Sequence, residues 1–98
     1  FKYIASILKN PSVQSIECPG PEKQILVNNS GRMQVMPQSL TKEQISEIIK
    51  RISEKTRIPV IQGVFKAAFE GLIITAVISE FVGTRFIIQK RFPSFMPR

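Results

Sequence analysis

Histidine and aspartate are both absent from the 98 residues. Their absence excludes Ser-His-Asp and Cys-His nucleophile sites, histidine metal sites and the usual histidine general base. No phosphate-binding loop of the G-x-x-x-x-G-K-S/T kind occurs either. The single cysteine, Cys18, excludes an internal disulfide and a zinc knuckle. We expect it to be a small buried hydrophobe near a strand end, in a reducing compartment. The chain by itself is therefore not expected to be an enzyme.

Long apolar runs are also missing. The longest, Leu72 to Ile78, is strand-sized and far below the ~20 residues of a membrane span. The sequence starts at Phe1, without the pattern of a signal peptide, and ends in a proline-rich segment. We interpret it as a fragment of a longer protein, with one domain over residues 1–92 and the start of a linker over residues 93–98.

Acidic residues stop at Glu80, whereas Arg85, Lys90 and Arg91 follow. The net charge of +7 is thus unbalanced toward the C-terminal end. A positive net charge of this size is typical of proteins that bind nucleic acid, acidic membranes or nucleotide phosphates.

The segment 39–57 is the clearest helix. Thr41 and Gln44 have the spacing of a capping box, and Pro59 ends the pattern. An apolar stripe follows at helical spacing: Ile45, Ile48, Ile49 and Ile52. The opposite side mixes both charge signs, which argues against a helix that reads DNA. The stripe requires an apolar surface to cover.

The rest of the pattern predicts a short N-terminal helix with Phe1, Ile4, Ala5 and Leu8 on one face, and about six strands. The predicted strands are 13–18, 24–28, 32–36, 64–69, 72–78 and 85–91. The order of helix, three strands, helix, three strands predicts an α+β fold in which one main amphipathic helix and a short N-terminal helix pack on a largely antiparallel sheet. The strand 72–78 is apolar enough to be covered on both faces.

The basic strand 85–91 has two interpretations. Arg85 and Arg91 are predicted to point to one side, roughly 20 Å apart, and Lys90 to the other. They could bind phosphate or acidic groups. Alternatively, the charges protect an edge strand against pairing with another sheet, which the residues alone favour.

Aromatic residues near basic strands could stack single-stranded nucleic acid. The candidates are Phe65, Phe69, Phe81, Phe86, Phe92 and Phe95. Phenylalanine at alternating strand positions is more typical of a core, and no RNP-type string is present. Phe92 and Phe95 are expected to meet a neighbouring domain or a partner chain.

The ordered segments resemble a known family. NPSVQSIECPGPEKQILVNN, a glycine turn, LTKEQISEIIKRISEKTRIPV, FEGLIITAVIS and GTRFIIQKRF are similar in order and spacing to the N-terminal domain of the secretion ATPase superfamily. This superfamily drives type II and type IV secretion, type IV pili and archaella. The Pro19-Gly20-Pro21 sequence of this chain looks most like archaeal members. One departure is the turn at Glu70-Gly71, where many relatives have an Asp-Gly-Ser-Arg type sequence.

The resemblance implies a non-catalytic regulatory and docking domain of a cytoplasmic hexameric motor, peripheral at the inner face of the membrane. Such a domain caps the nucleotide cleft and transmits ATP-driven motion. The implied partners are its own C-terminal ATPase domain, neighbouring hexamer subunits and a membrane platform protein, with ATP and Mg bound by the full-length protein and no nucleic acid. By position, nucleotide contact falls to Arg85, Lys90 or Arg91. Two alternatives stay open: a free-standing basic module for RNA or single-stranded DNA, and a scaffold that only docks proteins.

Overall fold

A computed structural model describes residues 2–91. The elements in chain order are α1 (Lys2–Leu8), β1 (Val13–Cys18), β2 (Gln24–Asn29), β3 (Arg32–Ser39), α2 (Lys42–Thr56), β4 (Gly63–Phe69), β5 (Leu72–Ile78) and β6 (Arg85–Lys90). Two helices pack on a six-stranded antiparallel sheet, so the predicted α+β fold is confirmed. The predictions for Phe1, Phe92 and residues 93–98 fall outside the described residues.

The capping box predicted for α2 is present. The Gln44 backbone N–H donates to Thr41 Oγ1 at 3.1 Å, and the Thr41 N–H donates to Gln44 Oε1 at 2.8 Å. These two bonds satisfy donors that the first helical turn leaves unpaired. At the other end, Arg57 adopts a left-handed conformation with φ 61° and closes the helix with an N–H bond to the Ser53 carbonyl.

The sheet consists of two three-stranded meanders joined by one central pairing. The strand order is β3-β2-β1-β6-β5-β4, and the pairing of β1 with β6 joins the two halves. We call this pairing the central seam. Because β6 pairs with β1 on one side and β5 on the other, the interpretation of Arg85–Lys90 as a charged edge strand is wrong.

Each meander turns sharply at a predicted position. Ser30 and Gly31 have φ of 55° and 84°, and Glu70 and Gly71 have 51° and 78°. Two consecutive positive φ angles belong to the type I′ hairpin turn, whose twist suits antiparallel strands. The predicted turns therefore set the registers of β2–β3 and β4–β5.

The edge strands are β3 and β4. β3 was predicted to end at Met36, before Pro37, but it runs on to Ser39. An edge strand tolerates proline because one row of its N–H groups faces away from the sheet. The prediction that Pro37 ends the strand is therefore wrong, because the sequence could not indicate that this strand lies at an edge.

The core lies between the helices and one face of the sheet. Its buried side chains are Ile4, Val13, Ile16, Cys18, Ile25, Val27, Leu40, Ile45, Ile48, Ile49, Phe65, Ala67, Ile74, Ala76, Phe86 and Ile88. Ile52 is half-buried against them. Ala5 was predicted on the inner face of α1 but is exposed, and the half-buried Ile7 packs on the core instead.

Candidate functional site

The second face of the sheet carries the candidate site. We call it the open face, because none of the buried core residues lies on it. Strand register places these side chains there: Ser15, Glu17, Leu26, Asn28, Met33, Val35, Val64, Lys66, Ala68, Ile73, Thr75, Val77, Arg85, Ile87 and Gln89. The expectation that strand 72–78 is covered on both faces is therefore wrong within residues 2–91, since Ile73 and Val77 stay partly exposed.

The middle of the open face is apolar with a few charged groups. Thr75, Val77 and Ile87 are half-buried and line a shallow cavity of about 180 Å³. Glu17 and Arg85 line the same cavity, so opposite charges stand at its rim. An apolar sheet face with few charges is suited to contact with a further protein surface.

Arg85 is exposed at the start of β6, opposite Val77 in the ladder. Within residues 2–91 it forms no ion pair. Its guanidinium therefore has its hydrogen-bonding donors available to a phosphate or carboxylate group.

Lys90 and Arg91 lie elsewhere. Lys90 points to the opposite side of the sheet from Arg85, as predicted, and its Nζ donates to the Asn10 carbonyl oxygen at 2.9 Å. Arg91 lies just beyond the other end of β6, where its N–H donates to the Gly71 carbonyl oxygen at 2.9 Å. The structure does not bring Arg85, Lys90 and Arg91 into one cluster. Arg85 lies on the open face at the start of β6, whereas Arg91 lines a cavity with the open-face residues Lys66, Ala68 and Ile73 near the other end of that strand.

The aromatic residues of the strands belong mainly to the core. Phe65 and Phe86 are each 2% exposed, and Phe69 is half-buried with Lys55 Nζ 5.8 Å from its ring centroid. Phe65 and Phe86 therefore cannot stack on bases. Phe81 is the exception at 95% exposure, while Phe92 and Phe95 lie outside the described residues.

Sequence reasoning missed most of a set of exposed apolar side chains, of which it had named only Phe81. They lie in and before the start of β4 and in the β5–β6 loop: Val60, Ile61, Val64, Phe81 and Val82. Of these residues, Val60 lines a groove of about 480 Å³ together with Ile78, Thr84 and side chains of α2. The sequence feature that could have indicated them is the presence of apolar residues next to Gly63 and Gly83, in segments whose composition is typical of loops.

Cys18 is buried and plays a packing role, as predicted. Burial raises the pKa of its thiol above the ordinary value. Its Sγ donates to the Gly20 carbonyl oxygen at 3.7 Å. Residues 2–91 contain no group of three or more acidic, histidine or cysteine side chains that could hold a metal ion. None of the helices in that range is long and apolar enough to cross a membrane.

Comparison with solved structures identified a protein of the same fold. The crystal structure of the VirB11 ATPase from the Brucella suis type IV secretion system, in complex with sulphate, superposes with a TM-score of 0.80. The chain shares the fold of part of that ATPase. The match covers 97% of this chain at 16% sequence identity. It covers only 31% of the VirB11 chain, so this chain spans about a third of that protein's length.

No protein-family model matches the sequence, and no curated protein matches it significantly. The structural match nevertheless agrees with the resemblance seen in the sequence, because the matched protein is itself a secretion ATPase. At this identity, the agreement concerns the fold.

Proposed function

We propose that the chain is the non-catalytic N-terminal domain of a hexameric secretion or pilus-assembly motor ATPase. In this role it caps the nucleotide cleft of a separate C-terminal domain and transmits ATP-driven motion. The observation that supports this function most directly is the fold shared with a part of the VirB11 ATPase, over 97% of this chain.

The residue content of the chain is consistent with a non-catalytic domain that acts beside a separate catalytic domain. It has no phosphate-binding loop, no histidine and no aspartate. Nucleotide and Mg would therefore be held by the other domain, which supplies the phosphate-transfer chemistry. This chain would add a positive contact at the cleft, for which the exposed guanidinium of Arg85 fits phosphate oxygens.

The open face supplies a surface for capping. Its half-buried apolar side chains surround Thr75 and lie beside Arg85, so a docked domain would exclude water around that charge. Attraction to phosphate is stronger in such a low-dielectric cleft and weakens when phosphate leaves. Domain closure would then follow the nucleotide state.

The proposed setting is cytoplasmic, peripheral at the inner face of the membrane. The proposed partners are the protein's own ATPase domain, neighbouring subunits of the hexamer and a membrane platform protein. Nucleic acid is not among them, which accords with the burial of Phe65 and Phe86.

The test is to sequence the reading frame beyond Arg98 and express the longer protein. We expect a P-loop within about a hundred residues, and ATP hydrolysis by the longer protein but not by the 98 residues alone. A reading frame without a nucleotide-binding domain would contradict the proposal. Tight binding of a single-stranded oligonucleotide at about 50 mM salt that falls steeply with added salt would favour the nucleic-acid alternative.

A further inference from the structure

The strand β4 leaves one row of backbone groups unpaired. Phe69 pairs with Leu72 across a two-residue turn, and such a closing pair exchanges both of its hydrogen bonds. Alternation along the ladder then directs the N–H and C=O groups of Val64, Lys66 and Ala68 away from β5. No backbone hydrogen bond from elsewhere in residues 2–91 reaches these three residues. The free row therefore runs along the whole strand.

The opposite edge of the sheet has more protection against pairing than β4 has. β3 contains Pro37 and has an irregular register where Gln24 and Leu26 pair with it. Both features hinder pairing with another strand. The seven residues of β4 contain no proline, and their register with β5 is continuous. Only Lys66 places a charge in this strand.

The side chains beside the free row differ between its two halves. Lys66 and Arg91 line a cavity of about 230 Å³ together with Ala68 and Ile73, which makes this half basic. Toward the other end, Val64 is 67% exposed. Ile61, just before the strand, is 66% exposed, so this half is apolar.

We propose that β4 accepts an added antiparallel strand from another protein. The incoming segment carries an acidic side chain beside Lys66 and a bulky apolar side chain beside Val64, two positions apart on one face. Backbone hydrogen bonds to the free row provide affinity, and the two side-chain positions provide specificity. This inference is independent of the function proposed above, because it concerns the free backbone row of β4 and not Arg85 or the cavity in the middle of the open face.

A second copy of the chain fits this edge less well. If two copies of β4 overlap along their full length, Lys66 lies directly opposite Lys66 of the copy. Like charges at facing positions destabilise a strand pair. An acidic segment instead gains a favourable cross-strand charge pair at the same place.

The first experiment adds a synthetic peptide to the 98-residue chain and follows amide hydrogen exchange by NMR. The capped nine-residue peptide has Glu at the central position 5, Val at the other odd positions and Thr at the even positions. At saturation we expect exchange at Val64, Lys66 and Ala68 to slow by about tenfold or more, because new hydrogen bonds protect them. Phe65 and Ala67 already bond to β5 and should not change. A peptide with Lys in place of Glu should bind about three- to tenfold more weakly.

Two variants test the edge and the charge separately. Ala68→Pro removes an N–H of the free row but no bond to β5, and we expect about a tenfold loss of binding. Met33→Pro makes the same change in the free row of β3 and should leave binding unchanged. Lys66→Glu should invert the preference between the two peptides.

Three outcomes would overturn the proposal. One is wild-type binding by a folded Ala68→Pro protein, and another is an unchanged peptide preference in Lys66→Glu. The third is protection of Val64, Lys66 and Ala68 that rises with protein concentration without peptide, since it would assign the edge to a second copy.

Discussion

Lys90 and Asn10 are joined by a hydrogen bond from Lys90 Nζ to the Asn10 carbonyl oxygen, at 2.9 Å. Asn10 is itself held by Ser12, whose N–H and Oγ both donate to Asn10 Oδ1. The bond therefore ties an ordered turn after α1 to the end of β6. Lys90 thus has a structural contact, besides the nucleotide contact that remains a prediction for it.

The Lys90→Met variant tests this contact. It keeps the apolar stem but removes the donor, and we expect a loss of about 1 kcal/mol in the free energy of unfolding. Urea unfolding followed by circular dichroism measures the difference. Lys66→Met, at an exposed position of β4, is the matched control and should change stability little. Equal midpoints for the two variants would show that the bond contributes nothing.

Ile49 tests the burial of the helix stripe. It is 2% exposed, so Ile49→Ala should lower the free energy of unfolding by ~2–5 kcal/mol through lost burial and a cavity. Ile61 is 66% exposed, and Ile61→Ala should stay within about 0.5 kcal/mol of the wild type. Thermal melting of both variants gives the comparison. A melting temperature for Ile49→Ala that matches the wild type would contradict the packing of α2 on the sheet.

Arg85 is the residue through which this chain would act on nucleotide. Arg85→Ala should change the stability of the domain by less than ~1 kcal/mol, because an exposed charge contributes little. In the longer protein we expect kcat/KM for ATP to fall about tenfold, through loss of a charged hydrogen bond. Arg91→Ala should also weaken turnover or its coupling, whereas Arg32→Ala serves as an exposed control on β3. Kinetics unaltered by Arg85→Ala would remove it from the site.

Cys18 should make stability fall at high pH. Burial raises the pKa of its thiol above the ordinary 9.0, so the folded chain retains the proton where the unfolded chain releases it. The stabilisation is complete below the ordinary pKa and is lost as pH rises beyond it. Between about pH 7 and about pH 10, the wild type should therefore lose more stability than Cys18→Ala. Parallel losses in the two proteins, measured by urea unfolding, would exclude this contribution.

Local chemistry explains why much of the fold could be predicted from the sequence. The cap formed by Thr41 and Gln44 uses residues three positions apart. The hairpin turn at Glu70-Gly71 is formed by two consecutive residues that both adopt positive φ. The pairing of Glu47 with Arg51 at 3.2 Å likewise follows from helical spacing. In each case, the residues that determine the structure are sequence neighbours.

Long-range pairing explains what the sequence could not indicate. Whether β6 is central or an edge depends on β1, and no pattern within residues 85–91 reports that partner. The separation of Arg85 from Lys90 followed from strand alternation, but the bond from Lys90 to Asn10 required the position of α1. The exposed apolar residues at Phe81 and Val82 are also invisible to periodicity, because a loop has no repeating face.

The central seam has a consequence for dividing the chain. Cys18 pairs with Phe86 and Ser15 with Gln89, so the halves of the sheet meet through residues near opposite ends of the sequence. A chain break between Arg57 and Gly63 would give two fragments, one with β1–β3 and one with β4–β6. Each fragment keeps a complete meander, but the core residues that the two fragments share would be exposed. We expect these fragments to be poorly folded alone and to reassemble when mixed, with recovery of the circular dichroism spectrum. Independent folding of either fragment would show that the meanders are separate units.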